Sequence, residues 1–100
     1  MDEKQLYTVL SIDGGGIRGI IPLRVIAEIE GRLGRPISDA IDLAAGSSTG
    51  GIIAAGLTAP HPVRPDQPRF KAQDLEQFYV NDGPEIFEKK RWFAGLRSLF

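Results

Sequence analysis

The residues best suited to chemistry in this chain surround Ser48, the central serine of the Gly-x-Ser-x-Gly sequence Gly46-Ser47-Ser48-Thr49-Gly50. A serine in this setting can act as a nucleophile, because small flanking residues allow a strained turn that exposes its hydroxyl group. Ser47 occupies a variable position of the motif, so we rank it far below Ser48. We predict a nucleophile elbow in which Gly46, Thr49 and Gly50 frame Ser48. The alternative is a turn that only caps a buried helix, since short motifs also arise by chance.

A second glycine cluster, Asp13-Gly14-Gly15-Gly16-Ile17-Arg18-Gly19, follows a short apolar segment. Consecutive glycines let several backbone N–H groups converge on one anionic point, such as the oxyanion formed during acyl transfer. The side chain of Arg18 would add a positive charge nearby. We therefore predict an oxyanion-binding loop made of Gly14, Gly15, Gly16, Arg18 and Gly19.

The same cluster also fits Gly-x-Gly-x-x-Gly, through Gly14, Gly16 and Gly19, so a nucleotide- or phosphate-binding module is an alternative. Asp39, about 20 residues further on, would then be the acid that binds the ribose. It lies before the second predicted strand, however, whereas that acid belongs at the far end of the strand. A catalytically inactive interaction domain that keeps the fold is a third hypothesis.

An alternation of strands and helices must position these two motifs. The apolar segment 6–12 predicts a buried strand, and Pro22 suits the first turn of a helix that ends at Gly34. Residues 41–45 predict a second strand, and the apolar run 52–57 predicts a helix buried on all sides. Strands connected in this way pair in parallel, so both glycine-framed loops should meet at one edge of the sheet.

The remainder of the chain predicts a proline-rich surface loop over residues 58–68 and a further helix. Asp74 can cap this helix, which carries Leu75, Phe78 and Tyr79 on one side, and the sequence Asn81-Asp82-Gly83-Pro84 is expected to end it. Basic and aromatic residues then interleave over residues 89–100. They predict either an amphipathic edge that contacts lipid or core aromatic residues beside a solvated basic face.

Composition limits the function classes that the chain can serve. Twelve basic and thirteen acidic residues give a net charge of -1, so nothing in the overall charge favours a nucleic-acid partner. The chain has no cysteine and a single histidine, His61, which excludes thiolate and multi-histidine metal sites within it. The polar start and the lack of a long apolar run lead us to expect no signal peptide, no membrane span and a cytoplasmic location.

The residues around both motifs resemble one known family. Residues 9–22, VLSIDGGGIRGIIP, and residues 42–51, DLAAGSSTGG, are similar to the patatin-like phospholipases. The segment DLEQFYVNDGPEIF, residues 74–87, resembles the helix that follows the elbow in that family, so the likeness spans nearly the whole chain. The resemblance implies an α/β fold, of which this chain is the amino-terminal part: a three-layer α/β/α sandwich with a mainly parallel sheet and a nucleophile elbow.

The resemblance also implies a mechanism. In that family a Ser-Asp dyad, without histidine, hydrolyses the acyl esters of phospholipids or other lipids, and no cofactor is needed. Ser48 would be the nucleophile, the N–H groups of Gly15 and Gly16 would bind the oxyanion, and Arg18 would support their loop. An acyl-lipid substrate is thus implied, and the lipid-contacting alternative for residues 89–100 would make the protein peripheral at membranes.

The aspartate of the dyad is the part of the pattern that this chain lacks. In the family it lies far downstream, in an Asp-Gly-Gly or Asp-Gly-Ala motif. Asp13-Gly14-Gly15 has the same letters but belongs to the oxyanion loop. We therefore interpret residues 1–100 as an incomplete catalytic domain and expect the isolated chain to hydrolyse little or nothing.

Overall fold

The computed structural model describes residues 5–88, in which strands and helices alternate before a final helix. The elements are β1 (Val9–Ile12), α1 (Ile20–Leu33), β2 (Leu43–Gly46), α2 (Thr49–Thr58) and α3 (Ala72–Glu88). Two short 3₁₀ turns, Gly16–Gly19 and Ile37–Asp39, precede α1 and β2. The segment 89–100, with its predicted amphipathic edge, lies outside the described residues.

The two strands pair in parallel, as the order of elements predicts. Their register aligns Val9 with Leu43 and Ile12 with Gly46. Both strands therefore end at the same edge of the sheet, and the loops that follow them begin side by side.

The first strand is shorter than the sequence predicts, because residues 6–8 do not join the ladder. The Asp42 carboxylate accepts a hydrogen bond from the Thr8 amide at 2.7 Å, and the Thr8 carbonyl accepts one from the Asp42 amide at 2.8 Å. These contacts close the pairing at Thr8, and Leu6 and Tyr7 lie exposed before it. Asp42 thus has a structural role at the amino end of β2, the end opposite Ser48.

Helix α1 ends where the sequence predicts, with Gly34 in the left-handed conformation at φ 68°. The side chain of Glu30, a polar residue in the second half of this helix, is half-buried. The two carboxylate oxygens accept hydrogen bonds from the amides of Ile37 and Ala72, at 2.8 and 2.6 Å. Glu30 therefore links α1 to the turn before β2 and to the first residue of α3.

The sequence predicts that helix α2 is buried on all sides, but among the described residues only one side of it is covered. Ile53, Ala54 and Leu57 are buried, whereas Ile52 is 57% exposed. The other described elements lie against a single face of this helix, and nothing among residues 5–88 covers the opposite one.

Helix α3 continues through Asn81-Asp82-Gly83-Pro84, so the prediction that it ends there is wrong. Proline at position 84 removes one backbone hydrogen bond, the one to the carbonyl four residues earlier. The buried face of the helix nevertheless continues at helical spacing through Ala72, Tyr79 and Gly83. Packing along this face outweighs the single lost bond. Asp74 acts near the start of the helix, where its carboxylate accepts the Lys71 amide at 2.9 Å.

One hydrophobic core joins the three helices to one face of the sheet. Its buried members are Ile12, Leu23, Ile26, Ile37, Ile53, Leu57, Ala72 and Tyr79. The other face of the sheet remains open among the described residues: Val9 and Leu43, which pair there, are 54% and 57% exposed. The described part of the chain is therefore an α/β unit with helices on one side of a parallel sheet.

Candidate active site

The turn between β2 and α2 places Ser48 in an unusual backbone conformation. Its φ of 53° and ψ of -124° make it the one non-glycine residue with a positive φ among residues 5–88. Such a conformation costs about 1–3 kcal/mol and persists only where the surrounding structure imposes it. Ser48 is also exposed, although the two residues that follow it, Thr49 and Gly50, are buried. The strand–turn–helix context that the motif requires is present.

Glycines on either side of Ser48 allow the turn to be this tight. A Cβ atom added to Gly46 would lie 2.3 Å from the backbone of Gly50. A Cβ atom added to Gly50 would lie 2.0 Å from the carbonyl oxygen of Ile12. Neither position can accept a side chain without movement of the backbone: Gly46 is required by close packing within the elbow, and Gly50 by close packing of the elbow against β1.

The glycine loop after β1 lies against the elbow. The Gly14 amide donates a hydrogen bond to the Ser47 Oγ at 3.1 Å, and a Cβ atom on Gly14 would lie 2.8 Å from the Cβ of Ser48. Further along, Gly16 has a φ of 57° and starts the 3₁₀ turn, which the Arg18 amide closes by donating to the Gly15 carbonyl at 3.1 Å. The structure thus places Gly14, the first glycine of the loop, against Ser48, and the approach of the Gly15 and Gly16 amides to the serine hydroxyl stays a prediction.

The last residue of the glycine loop has different surroundings. Gly19 is buried, and a Cβ atom there would lie 3.1 Å from side-chain atoms of Thr49, Ile53 and Tyr79. Gly19 therefore packs the loop onto the helices, while Gly14 borders the exposed serine. A role in binding an oxyanion stays a prediction for all five residues of the loop: Gly14, Gly15, Gly16, Arg18 and Gly19.

Sequence reasoning missed two contacts of the site. The Ser47 hydroxyl ties the glycine loop to the elbow, although Ser47 is only the variable residue of the motif. The Thr49 hydroxyl is hydrogen-bonded to the Tyr79 hydroxyl inside the core. A hint was available, because a buried tyrosine hydroxyl usually finds a partner, but nothing in the spacing indicates which one.

Two other polar residues named from the sequence, Asp39 and His61, lie outside the elbow and the glycine loop. Asp39 precedes β2, which is not where a ribose-binding acid of a dinucleotide fold belongs. The Nδ1 atom of His61 accepts the amides of Val63 and Arg64, both at 3.1 Å, and so orders its own loop. Within residues 5–88 no group of three or more histidine, aspartate or glutamate side chains is arranged to hold a metal ion.

A separate cavity of about 480 Å³ lies between α1 and the start of α3. Cationic side chains from Arg24, Arg35 and Lys71 contribute to its wall, as does Glu30. None of the residues that line it belongs to the elbow or to the glycine loop.

Over the described part of the chain, no helix combines the length and the apolar character needed to cross a bilayer.

Comparison with known proteins agrees with this geometry. The family model described as patatin-like phospholipase matches residues 10–100. The chain belongs to the patatin-like phospholipase family. Its α/β unit, with a parallel strand pair and helices, is consistent with the amino-terminal part of a patatin α/β/α domain. The resemblance read from the two glycine motifs is therefore confirmed.

Several plant patatin-like proteins are similar to the chain. Patatin-like protein 2 of Oryza sativa subsp. indica is 43% identical over 97 residues, which cover 91% of this chain and 24% of the relative. Patatin-like protein 2 of Arabidopsis thaliana is 42% identical, covering 94% of this chain and 24% of the relative. A potato protein named probable inactive patatin-3-Kuras 1 is 40% identical, with coverages of 84% and 24%.

The chain spans about a quarter of the length of these relatives. One of them is named as probably inactive, so membership of the patatin-like family does not by itself establish catalysis. No solved structure matches the chain.

Proposed function

We propose that the full-length protein containing this chain is a lipid acyl hydrolase with Ser48 as its nucleophile. The observation that carries the proposal is the contact between Gly14, the first of three consecutive glycines, and Ser48, an exposed serine in a strained turn. A nucleophile next to clustered N–H donors is the arrangement that acyl transfer requires. Membership of the patatin-like phospholipase family supports an acyl lipid as the substrate.

In the proposed reaction, the Ser48 Oγ attacks the carbonyl carbon of the ester and its proton passes to an aspartate. The negative charge that develops on the carbonyl oxygen is stabilised by the amides of Gly15 and Gly16, and Arg18 supports their loop. The aspartate gives this proton to the leaving oxygen, so that the intermediate collapses to an acyl-enzyme and the alcohol portion of the lipid is released. Water then attacks the acyl-enzyme and gives a proton to the aspartate, which passes it to the Ser48 Oγ as the fatty acid leaves.

The aspartate of this proposal is the one expected in an Asp-Gly-Gly or Asp-Gly-Ala motif of the full-length protein. Asp42 is not a suitable base, because its carboxylate accepts the Thr8 amide at the opposite end of β2 from Ser48. The domain formed by residues 1–100 is accordingly proposed to be incomplete for catalysis, and activity is to be measured on the full-length protein.

A fluorophosphonate probe tests the assignment of the nucleophile. We expect the full-length protein to be labelled at Ser48, as located by peptide mass spectrometry, and to lose labelling and phosphatidylcholine hydrolysis in Ser48→Ala. Ser47→Ala is the matched neighbour, since it removes an adjacent hydroxyl but leaves the proposed nucleophile, and it should still be labelled. Labelling that persists in Ser48→Ala would contradict the proposal.

Membrane contact and location are further parts of the proposal, and they rest on sequence. We propose a cytoplasmic protein that contacts membranes peripherally through the basic and aromatic segment 89–100. Deletion of that segment should reduce co-sedimentation of the full-length protein with phosphatidylserine vesicles. Unchanged binding would remove the segment from the proposal, and microscopy of a tagged protein would test its location.

A further inference from the structure

The core of the unit contains a hydrogen bond between two hydroxyl groups next to the elbow. The Thr49 Oγ1 and the Tyr79 hydroxyl are bonded to each other, and the two residues are 1% and 3% exposed. Thr49 directly follows Ser48 and is the first residue of α2, whereas Tyr79 lies in the middle of α3. The bond therefore joins the first turn of one helix to a distant part of the chain.

Gly19 of the glycine loop also packs against Thr49 and Tyr79. A Cβ atom on Gly19 would lie 3.1 Å from both the Thr49 Oγ1 and the Tyr79 Cε1. The tyrosine ring and the threonine side chain thus pack against Gly19, the last residue of the predicted oxyanion loop. A single buried contact brings together the loop, the elbow helix and α3.

The contact between Thr49 and Tyr79 matters because Ser48, the residue before Thr49, has a positive φ. A positive φ at a serine persists only when its neighbours hold it there. On the helix side, the Ser48 carbonyl is held by the amide of Gly51 at 3.0 Å, which is local to the same turn. The Thr49–Tyr79 bond is a side-chain tether from outside the turn, and it fixes the orientation of that first turn against the core.

We propose that Tyr79 is a positioning residue for Ser48, acting through the Thr49 hydroxyl. It does not touch the substrate. It holds the first turn of α2, and with it the serine backbone, in the geometry that aims the hydroxyl at the ester. This inference rests on the proposed hydrolase function and names a residue in a helix that the two glycine motifs do not include.

The test compares steady-state hydrolysis by variants of the full-length protein. Tyr79→Phe keeps the ring and removes the hydroxyl, and we expect kcat to fall about 10- to 100-fold with KM unchanged, because small misplacements of a nucleophile have effects of this size. Thr49→Val should show a similar loss. The double variant should show no additional loss, because both substitutions break the same hydrogen bond. Thr49→Ser retains a hydroxyl and should retain most of the wild-type kcat.

Two controls separate positioning from stability. Tyr7→Phe removes the hydroxyl of the exposed tyrosine and should leave kcat unchanged. Ile26→Val trims a buried residue of α1 and should lower the melting temperature about as much as Tyr79→Phe does, again with kcat unchanged well below that temperature.

Three results would overturn the inference: wild-type kcat in Tyr79→Phe, additive losses in the double variant, or an equal kcat loss in Ile26→Val. Each of these leaves the hydrolase proposal intact as long as the wild type is labelled at Ser48. If the wild type neither labels nor hydrolyses phosphatidylcholine, the hydrolase proposal itself fails and the inference fails with it.

Discussion

Gly50 of the elbow lies directly against the carbonyl oxygen of Ile12, so that a Cβ atom at position 50 would be only 2.0 Å from that oxygen. The two residues belong to α2 and β1, and their contact sets the distance between the elbow and the neighbouring strand. No rotamer change can relieve such an overlap, because both partners are backbone atoms.

Gly50→Ala should therefore be among the most damaging single substitutions in the chain. We expect a loss of more than about 4 kcal/mol in the free energy of unfolding of the full-length protein, or no soluble protein at all. Gly31→Ala is the matched control: Gly31 lies in α1 with nothing within 4 Å of an added Cβ. That substitution should stabilise the protein by up to about 1 kcal/mol. Urea denaturation measures both, and equal stabilities would contradict the described packing.

At position 48 a glycine variant should be more stable than an alanine variant, the reverse of the usual order of stability. Replacing alanine by glycine normally destabilises a protein, because glycine has more freedom in the unfolded chain. At a φ of 53° the alanine variant keeps the strain of the native serine, whereas glycine relieves it. We expect Ser48→Gly to be about 1–3 kcal/mol more stable than Ser48→Ala in urea denaturation. A more stable Ser48→Ala would show that the backbone there is unstrained.

Contact between the two loops should control the rate of labelling. An added Cβ at Gly14 would lie 2.7 Å from the Ser47 carbonyl and 2.8 Å from the Ser48 Cβ, so Gly14→Ala must push the loops apart. We expect fluorophosphonate labelling of the full-length protein to slow about 100-fold. Ser47→Ala removes only the acceptor of the Gly14 amide and should slow labelling by a smaller factor. Wild-type rates in Gly14→Ala would mean that the loop takes no part in the reaction.

The two glutamates of α1 should differ strongly in their effect on stability. Glu30 is half-buried and accepts two backbone amides, from Ile37 and Ala72, so Glu30→Ala should lower the free energy of unfolding by about 2–3 kcal/mol. Glu28, two residues earlier, is exposed and pairs with Arg32 one helical turn away. Glu28→Ala should change stability by about 0.5 kcal/mol or less. Thermal or urea denaturation of the two variants in parallel checks the difference.

The order of the strands and the first two helices could be predicted because local signals mark it. Glycines follow each strand, and Gly34 ends α1 in the left-handed conformation that few other residues adopt. That the glycine loop lies against the elbow could also be predicted, because parallel strands end at the same edge of a sheet, although the contact forms at Gly14 and the prediction named Gly15 and Gly16.

The features that sequence reasoning missed all depend on contacts between residues far apart in the chain. Helix α3 passes through Pro84 because its buried face continues to Gly83, which a local rule for proline does not take into account. The late start of β1, at Val9, depends on the carboxylate of Asp42. The bond between Thr49 and Tyr79 joins residues that are 30 positions apart, and no spacing rule for a single element specifies it.

Direct pairing of β1 with β2 has a consequence for how such proteins diversify. Register between the two strands, and not the length of the connection between them, determines where the triple glycine meets the serine. Insertions at the exposed turn around Arg35 could therefore accumulate in related genes, or be introduced by an engineer, without retuning the chemistry.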